Sequence, residues 1–150
     1  MKDRKHILVA TDLVADDDNP VIEKAKELAD NMDAEVSIVN VIELVPGWGV
    51  ESGMAFAQWQ EEVTPAVERR LAAAASRLGV PAERQFQLMG SAKESIVEQA
   101  KLVHADLIVM GSHCRRGADA WLLGSTAKGV LHRAPCDVLI VRVGSSEESE

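Results

Sequence analysis

The chain has 150 residues, which fits one domain and leaves little room for a second. With 47% hydrophobic and 27% charged residues it can bury a core, so the composition excludes a disordered chain. A formal net charge of −8 repels phosphate backbones and argues against DNA or RNA as a partner, but it leaves room for one small anion held by local backbone donors.

The start, MKDRKHILVATDLVADDD, has a basic opening, but Asp12 soon ends its apolar run, so it does not read as an export signal. No apolar stretch approaches the roughly 18 residues that a membrane span needs. Cys114 and Cys136 show neither metal-ligand spacing nor a disulfide framework. A soluble cytoplasmic protein with reduced thiols is the expectation.

The first predicted element is a strand at His6–Asp12, HILVATD, apolar enough to be buried on both faces. Asn19 and Pro20 suit a helix cap and first helical position. The helix that follows carries Val21, Ala25, Leu28, Ala29 and Met32 on one stripe. The acidic run Asp16–Asp18 favours that helix dipole better than it would serve a metal ion. AEVSIVNV at Ala34–Val41 is a second strand. Residues 42–57, with Pro46, Gly47, Gly49 and Gly53, read as a long loop. A second helix is expected from Trp59 to Leu78, stopped by Gly79 and Pro81.

Arg84–Leu88 is a weaker third strand. Gly90 turns the chain, and Ser91–Glu94 has the form of a capping box for a third helix carrying Ile96, Val97, Ala100 and Val103. DLIVM at Asp106–Met110 is the fourth strand. A fourth helix runs to about His132, and CDVLIVRV at Cys136–Val143 is the fifth strand. The alternation of strand and helix predicts an α/β fold, a mostly parallel sheet with helices on both faces. The expected domain is 1–143, and 144–150, GSSEESE, is an acidic flexible tail.

Chemistry concentrates between the fourth strand and fourth helix. Gly111-Ser112-His113-Cys114 is followed after nine residues by Gly124-Ser125-Thr126. Gly111 permits a tight turn and close approach to a ligand. The amides of Ser125 and Thr126 lie at an expected helix N-terminus, where free N–H groups and the dipole attract phosphate, and their hydroxyls add donors. The same residue types also serve as ordinary turn and cap residues, so spacing alone leaves both readings open. No Gly-Lys-Ser/Thr of a P-loop is present.

This loop resembles the nucleotide loop of ATP-binding universal stress proteins, Gly-x2-Gly-x9-Gly-Ser/Thr. Gly111, Gly124 and Ser125 fall on that pattern, and Cys114 stands at its second glycine. HILVATD, VNVIE, the segment from Gly90 to Ala100, and RAPCDVLIVRV extend the resemblance along nearly the whole chain. The resemblance implies a Rossmann-like, three-layer α/β fold: an open five-stranded parallel sheet of order 3-2-1-4-5 with four helices. The strand order of such a sheet reverses between strands 1 and 4, where open α/β sheets bind ligands.

Carried over by resemblance, Asp12 would accept hydrogen bonds from ribose hydroxyls. Ala10 and Thr11 would line the adenine or ribose end, and Val41 would touch the adenine face. Met110 and Gly111 would sit under the ribose, and His113, Cys114, Gly124, Ser125 and Thr126 would surround the phosphates. Arg115 and Arg116 read either as a solvated pair or as phosphate contacts. Asp12 also reads as a cap of the following loop, and Val41 and Met110 as plain core residues. The implied cofactor is ATP, with magnesium bridging its phosphates as that ion's preference for phosphate oxygens and water allows. The implied partner is a second copy paired through the last strand, whose Val138, Ile140 and Val143 are apolar. The alternatives are an interaction protein that binds no nucleotide, with Cys114 crowding the phosphates, and a slow ATPase. No base and cationic clamp for phosphoryl transfer is visible, so an enzyme is not expected.

Overall fold

The computed structural model describes residues 4–12, 19–43, 53–112 and 123–143, leaving aside the side chains of 19, 53–60, 62 and 63. In chain order the elements are β1 (His6–Thr11), α1 (Asn19–Met32), β2 (Glu35–Ile42), α2 (Gly53–Leu78), a 3-10 turn (Ala82–Arg84), β3 (Gln85–Met89), α3 (Ala92–Leu102), β4 (Leu107–Gly111), α4 (Ser125–Arg133) and β5 (Asp137–Val141). All strand pairs are parallel and the order is β3-β2-β1-β4-β5. The expected sheet order and the four helices are both found.

Every residue of β1 is buried, because the strand is central and covered on both faces. Alternate side chains divide between two cores. Ile7, Val9 and Ile38 pack with Val21, Ala25, Leu71 and Ala74 beneath α1 and α2. Leu8, Val39 and Ile108 pack with Ile96, Val97, Ala127 and Val130 beneath α3 and α4. Each buried Val, Leu or Ile side chain among them contributes about 1.5–3 kcal/mol of transfer free energy. Gly129 brings α3 and α4 close: a Cβ there would lie 2.5 Å from the Lys93 Cδ.

Three helices end in the same way. Asp33, Gly79 and His104 adopt φ of 53°, 72° and 55°. The next amide then reaches back into the last turn, as in Ala34 N to Ala29 O, Val80 N to Ala75 O and Ala105 N to Ala100 O, at 3.0, 2.8 and 3.0 Å. This 6→1 bond marks a Schellman ending. Glycine tolerates the left-handed residue freely, while Asp33 and His104 carry its steric cost.

Several expected details differ. Helix α2 begins at Gly53 rather than Trp59, so the end of the expected loop, 53–57, is helical. Pro65 lies inside α2, where it removes one backbone donor. Met32 is 38% exposed and leaves the buried stripe of α1. Ser91 occupies the N-cap of α3 but makes no side-chain cap bond. The Ala92 amide instead donates to Glu43 Oε2 at 2.9 Å, so a carboxylate just past β2 serves the helix start that the capping box was expected to serve. Residues 144–150 lie outside the described residues.

Candidate functional site

The switch point is visible in the register. Pairing of β1 with β2 runs to Thr11↔Asn40, and pairing of β4 with β5 runs to Gly111↔Val141. Pairing of β1 with β4 stops one step earlier, at Ala10↔Met110. Beyond that step the two central strands are each tied to an outer neighbour and no longer to each other. The point between Thr11–Asp12 and Gly111–Ser112, at the carboxyl ends of the strands, is where an open α/β sheet of this order places its ligand crevice.

Both lips of the crevice are held by side chains. On the β1 side the Asn40 amide donates from Nδ2 to Thr11 O at 3.0 Å and Asp12 O at 3.1 Å. On the β4 side Ser112 N donates to Val141 O at 2.9 Å, and the Ser112 hydroxyl accepts from Val143 N at 3.0 Å. Sequence reading missed Asn40 and Ser112. For Asn40 a signal existed, since an amide inside the apolar run AEVSIVNV must find hydrogen-bond partners.

The structure divides the candidate residues between the two faces. Ala10 and Met110 are buried in the α3–α4 core, and Val41 packs against it half-buried. Thr11 is buried in the sheet position next to Asn40, whose strand neighbours Val36 and Ile38 face α1 and α2. Asp12 is exposed, immediately past β1. A ligand touching all of these must lie across the strand ends rather than along one face.

Gly124 is the N-cap of α4 and Ser125 and Thr126 are its first helical residues. Gly124 makes no side-chain cap bond, having no side chain, so the first-turn amides are not capped from that position. Ser125 is exposed and Thr126 half-buried. The backbone of Gly124, at φ −65° and ψ 160°, is open to any residue, and Gly111 is the extended last residue of β4. Neither glycine is there for a left-handed turn; their use is the missing side chain. This corrects the expectation of a tight turn at Gly111. His113, Cys114, Arg115 and Arg116 lie outside the described residues.

The donor set suits a nucleotide. Amides and hydroxyls at the start of α4 suit an anion, and the exposed Asp12 carboxylate suits a hydroxyl donor. Among the described residues no three His, Cys, Asp or Glu side chains converge on a metal position. Among the described residues no helix is long and apolar enough to cross a membrane.

A depression of about 270 Å³ lies at the opposite, amino end of the strands, lined by residues including Arg4, Asp33, Glu35, Gly79 and Arg84. Its charges already answer one another. Arg4 pairs with Asp33 and Glu35 at 3.6 and 3.8 Å, and Arg84 Nε donates to Val36 O at 2.9 Å. Cys136 is half-buried, and burial, followed by the charges of Asp137 and Asp106, pushes its thiol pKa up. A raised pKa leaves less of the thiol as reactive thiolate.

Comparison with known proteins agrees with this architecture. Residues 3–142 match the profile of the Universal stress protein family. Universal stress protein A homolog 2 of Coxiella burnetii is 41% identical over 147 residues, spanning 97% of this chain and 100% of that protein. The solved structure of hypothetical protein MJ0577 superposes with a TM-score of 0.75 at 23% identity, over 94% of this chain and 97% of that one. A universal stress protein solved in complex with cAMP superposes with a TM-score of 0.63 at 22% identity, over 95% of this chain and 100% of that one. The profile match and the relative covered along its whole length place this chain in the universal stress protein family.

Proposed function

We propose that this protein binds one adenine nucleotide, ATP, per chain in the crevice between β1 and β4, and acts by the state of that site rather than by turnover. The observation that carries the reading is the register: the central pair parts after Ala10↔Met110, while the amide-bearing start of α4 lies on the β4 side and the Asp12 carboxylate on the β1 side. Asp12 accepts from the ribose hydroxyls. Ala10, Thr11 and Val41 line the base end, and Met110 and Gly111 lie under the sugar. Gly124, Ser125 and Thr126 receive the phosphates with His113 and Cys114, and magnesium bridges the phosphate oxygens. The cAMP-bound universal stress protein of similar fold supports an adenine ligand.

Residues 1–143 form the single domain and 144–150 its acidic tail. The site works in the cytoplasm, where thiols stay reduced. Phosphoryl transfer needs a positioned base and cationic stabilisation of the moving group, and the described residues beside the crevice do not supply both. The functional unit is a homodimer joined through β5, an edge strand of the sheet and so a ready surface for pairing with a second copy. Light scattering at micromolar concentration should give about twice the 16.2 kDa chain mass; a monomer contradicts the dimer. Thermal unfolding with and without millimolar ATP and magnesium tests the ligand: a rise in the midpoint supports it, and an unchanged midpoint opposes it.

A further inference from the structure

Among the described residues three buried side-chain atoms lack a hydrogen-bond partner: Thr11 Oγ1, Asn40 Oδ1 and Gln87 Nε2. They form one row across the sheet, because Thr11 pairs with Asn40 and Asn40 with Gln87. The row lies at the carboxyl end of the strands, beside the crevice. Orphaned buried polar atoms weaken a fold, so three in one row ask for a cause.

Asn40 supplies one. It is 2% exposed, and its Nδ2 donates to both Thr11 O and Asp12 O. Those two bonds decide which way the amide faces. Turned over, it would set Oδ1 against two carbonyl oxygens. The orphaned oxygen is thus the consequence of the work done by the nitrogen. An apolar side chain would fill the position without an orphan, as Ile38 does two residues earlier on the same face. What the amide adds is a hold on the chain where the pairing of β1 with β2 ends. Thr11 is the last paired residue, and Asp12 follows it with its carbonyl fastened to a buried, immobile group. Fixing that peptide fixes the direction in which the Asp12 side chain leaves the backbone.

We infer that Asn40 is a positioning residue for Asp12: its buried amide orients the peptide from which the Asp12 carboxylate reaches the ribose hydroxyls, and so sets the preference for a nucleotide that carries them. This rests on the nucleotide reading given above. Asn40 itself touches no ligand.

The test compares the affinities of ATP and 2′,3′-dideoxy-ATP by calorimetry in the wild type, Asn40→Leu, Asp12→Ala and the double variant. Partial unfolding lowers both affinities by the same factor, so their ratio isolates the positioning role from a merely structural one. The wild type is expected to prefer ATP about tenfold, equivalent to about 1.4 kcal/mol. Asn40→Leu should bring the ratio to near one by weakening ATP alone. Asp12→Ala should do the same, and the double variant should be no weaker than either, the mark of two residues acting through one contact. If Asn40→Leu fails to fold by circular dichroism, Asn40→Val is carried through the same comparison. An Asn40 variant with the wild-type ratio, or losses that add in the double variant, overturns the inference while leaving the nucleotide site standing. A wild type that binds both nucleotides equally removes the role of Asp12 and the inference with it. A wild type that binds neither overturns the nucleotide reading as well.

Discussion

At the amino end of the sheet the polar groups answer one another. His6 Nε2 and Ser37 Oγ share a buried hydrogen bond of 2.7 Å, His6 N donates to Asp106 Oδ2 at 2.9 Å, and His6 Nδ1 lies 3.6 Å from Glu35. Arg4 adds a bond to Asp33 O at 3.1 Å. At the carboxyl end the opposite holds. Among the described residues Thr11, Asn40 and Gln87 keep buried atoms with no partner, Gly124 gives the start of α4 no side-chain cap, and β1 parts from β4. Among the described residues the two ends of the sheet thus differ, one with its polar groups paired and one with buried polar atoms that are not. The contrast separates residues that hold the fold from residues poised to hold something else. Charge alone does not separate them, since exposed ion pairs such as Arg4 with Asp33 contribute little.

The contrast can be broken most severely at Gly124. Its backbone angles accept a branched residue, so Gly124→Val should keep a native circular dichroism spectrum. The new side chain would stand over the first-turn amides and displace the phosphates. Losing two charge-assisted hydrogen bonds of about 1.5 kcal/mol each predicts an ATP affinity roughly a hundredfold lower. An unaltered affinity by titration would put the ligand elsewhere.

Two substitutions at opposite ends should then differ in sign. Ser37 is fully buried and answers His6. Ser37→Ala leaves the ring nitrogen without its partner and should cost about 2 kcal/mol in urea unfolding, with ATP affinity unchanged. Thr11→Val removes a hydroxyl that has no partner, at nearly constant shape. It should leave stability level or raise it by up to about 1 kcal/mol. Equal losses from both changes would erase the distinction between the two ends.

The smallest effect concerns Cys136. Because burial first, and Asp137 and Asp106 after it, raise its pKa, the folded protein keeps this thiol protonated to higher pH than the unfolded chain does. Its contribution to stability is present below the unfolded pKa and fades as pH rises through the folded one. At pH 8 the native thiol should therefore alkylate more slowly than the same thiol in the urea-unfolded chain, as followed by mass spectrometry. Equal rates would contradict its burial.

Most of the fold is legible in the sequence for a simple reason. Continuous apolar runs such as HILVAT and LIVM can only be strands covered on both faces, and their alternation with helices leaves few topologies. The start of α2 is not legible, because Gly53 carries a loop signal although the helix begins there. The cap of α3 is not legible either. Local spacing points to Ser91, whereas the carboxylate that serves it, Glu43, is 49 residues away in the chain. At the site, the spacing from Gly111 to Ser125 and the acidic end of β1 mark the crevice. The residues that hold its lips, Asn40 and Ser112, emerge only when β2 and β5 are set beside β1 and β4.

The central claim is that the open end of the sheet binds ATP, and calorimetric titration of the full chain with ATP and magnesium tests it most directly. The account predicts saturable binding of one nucleotide per chain, lost in Gly124→Val and retained in Ser37→Ala. Absence of binding heat at millimolar ATP, together with an unshifted unfolding midpoint, would contradict it.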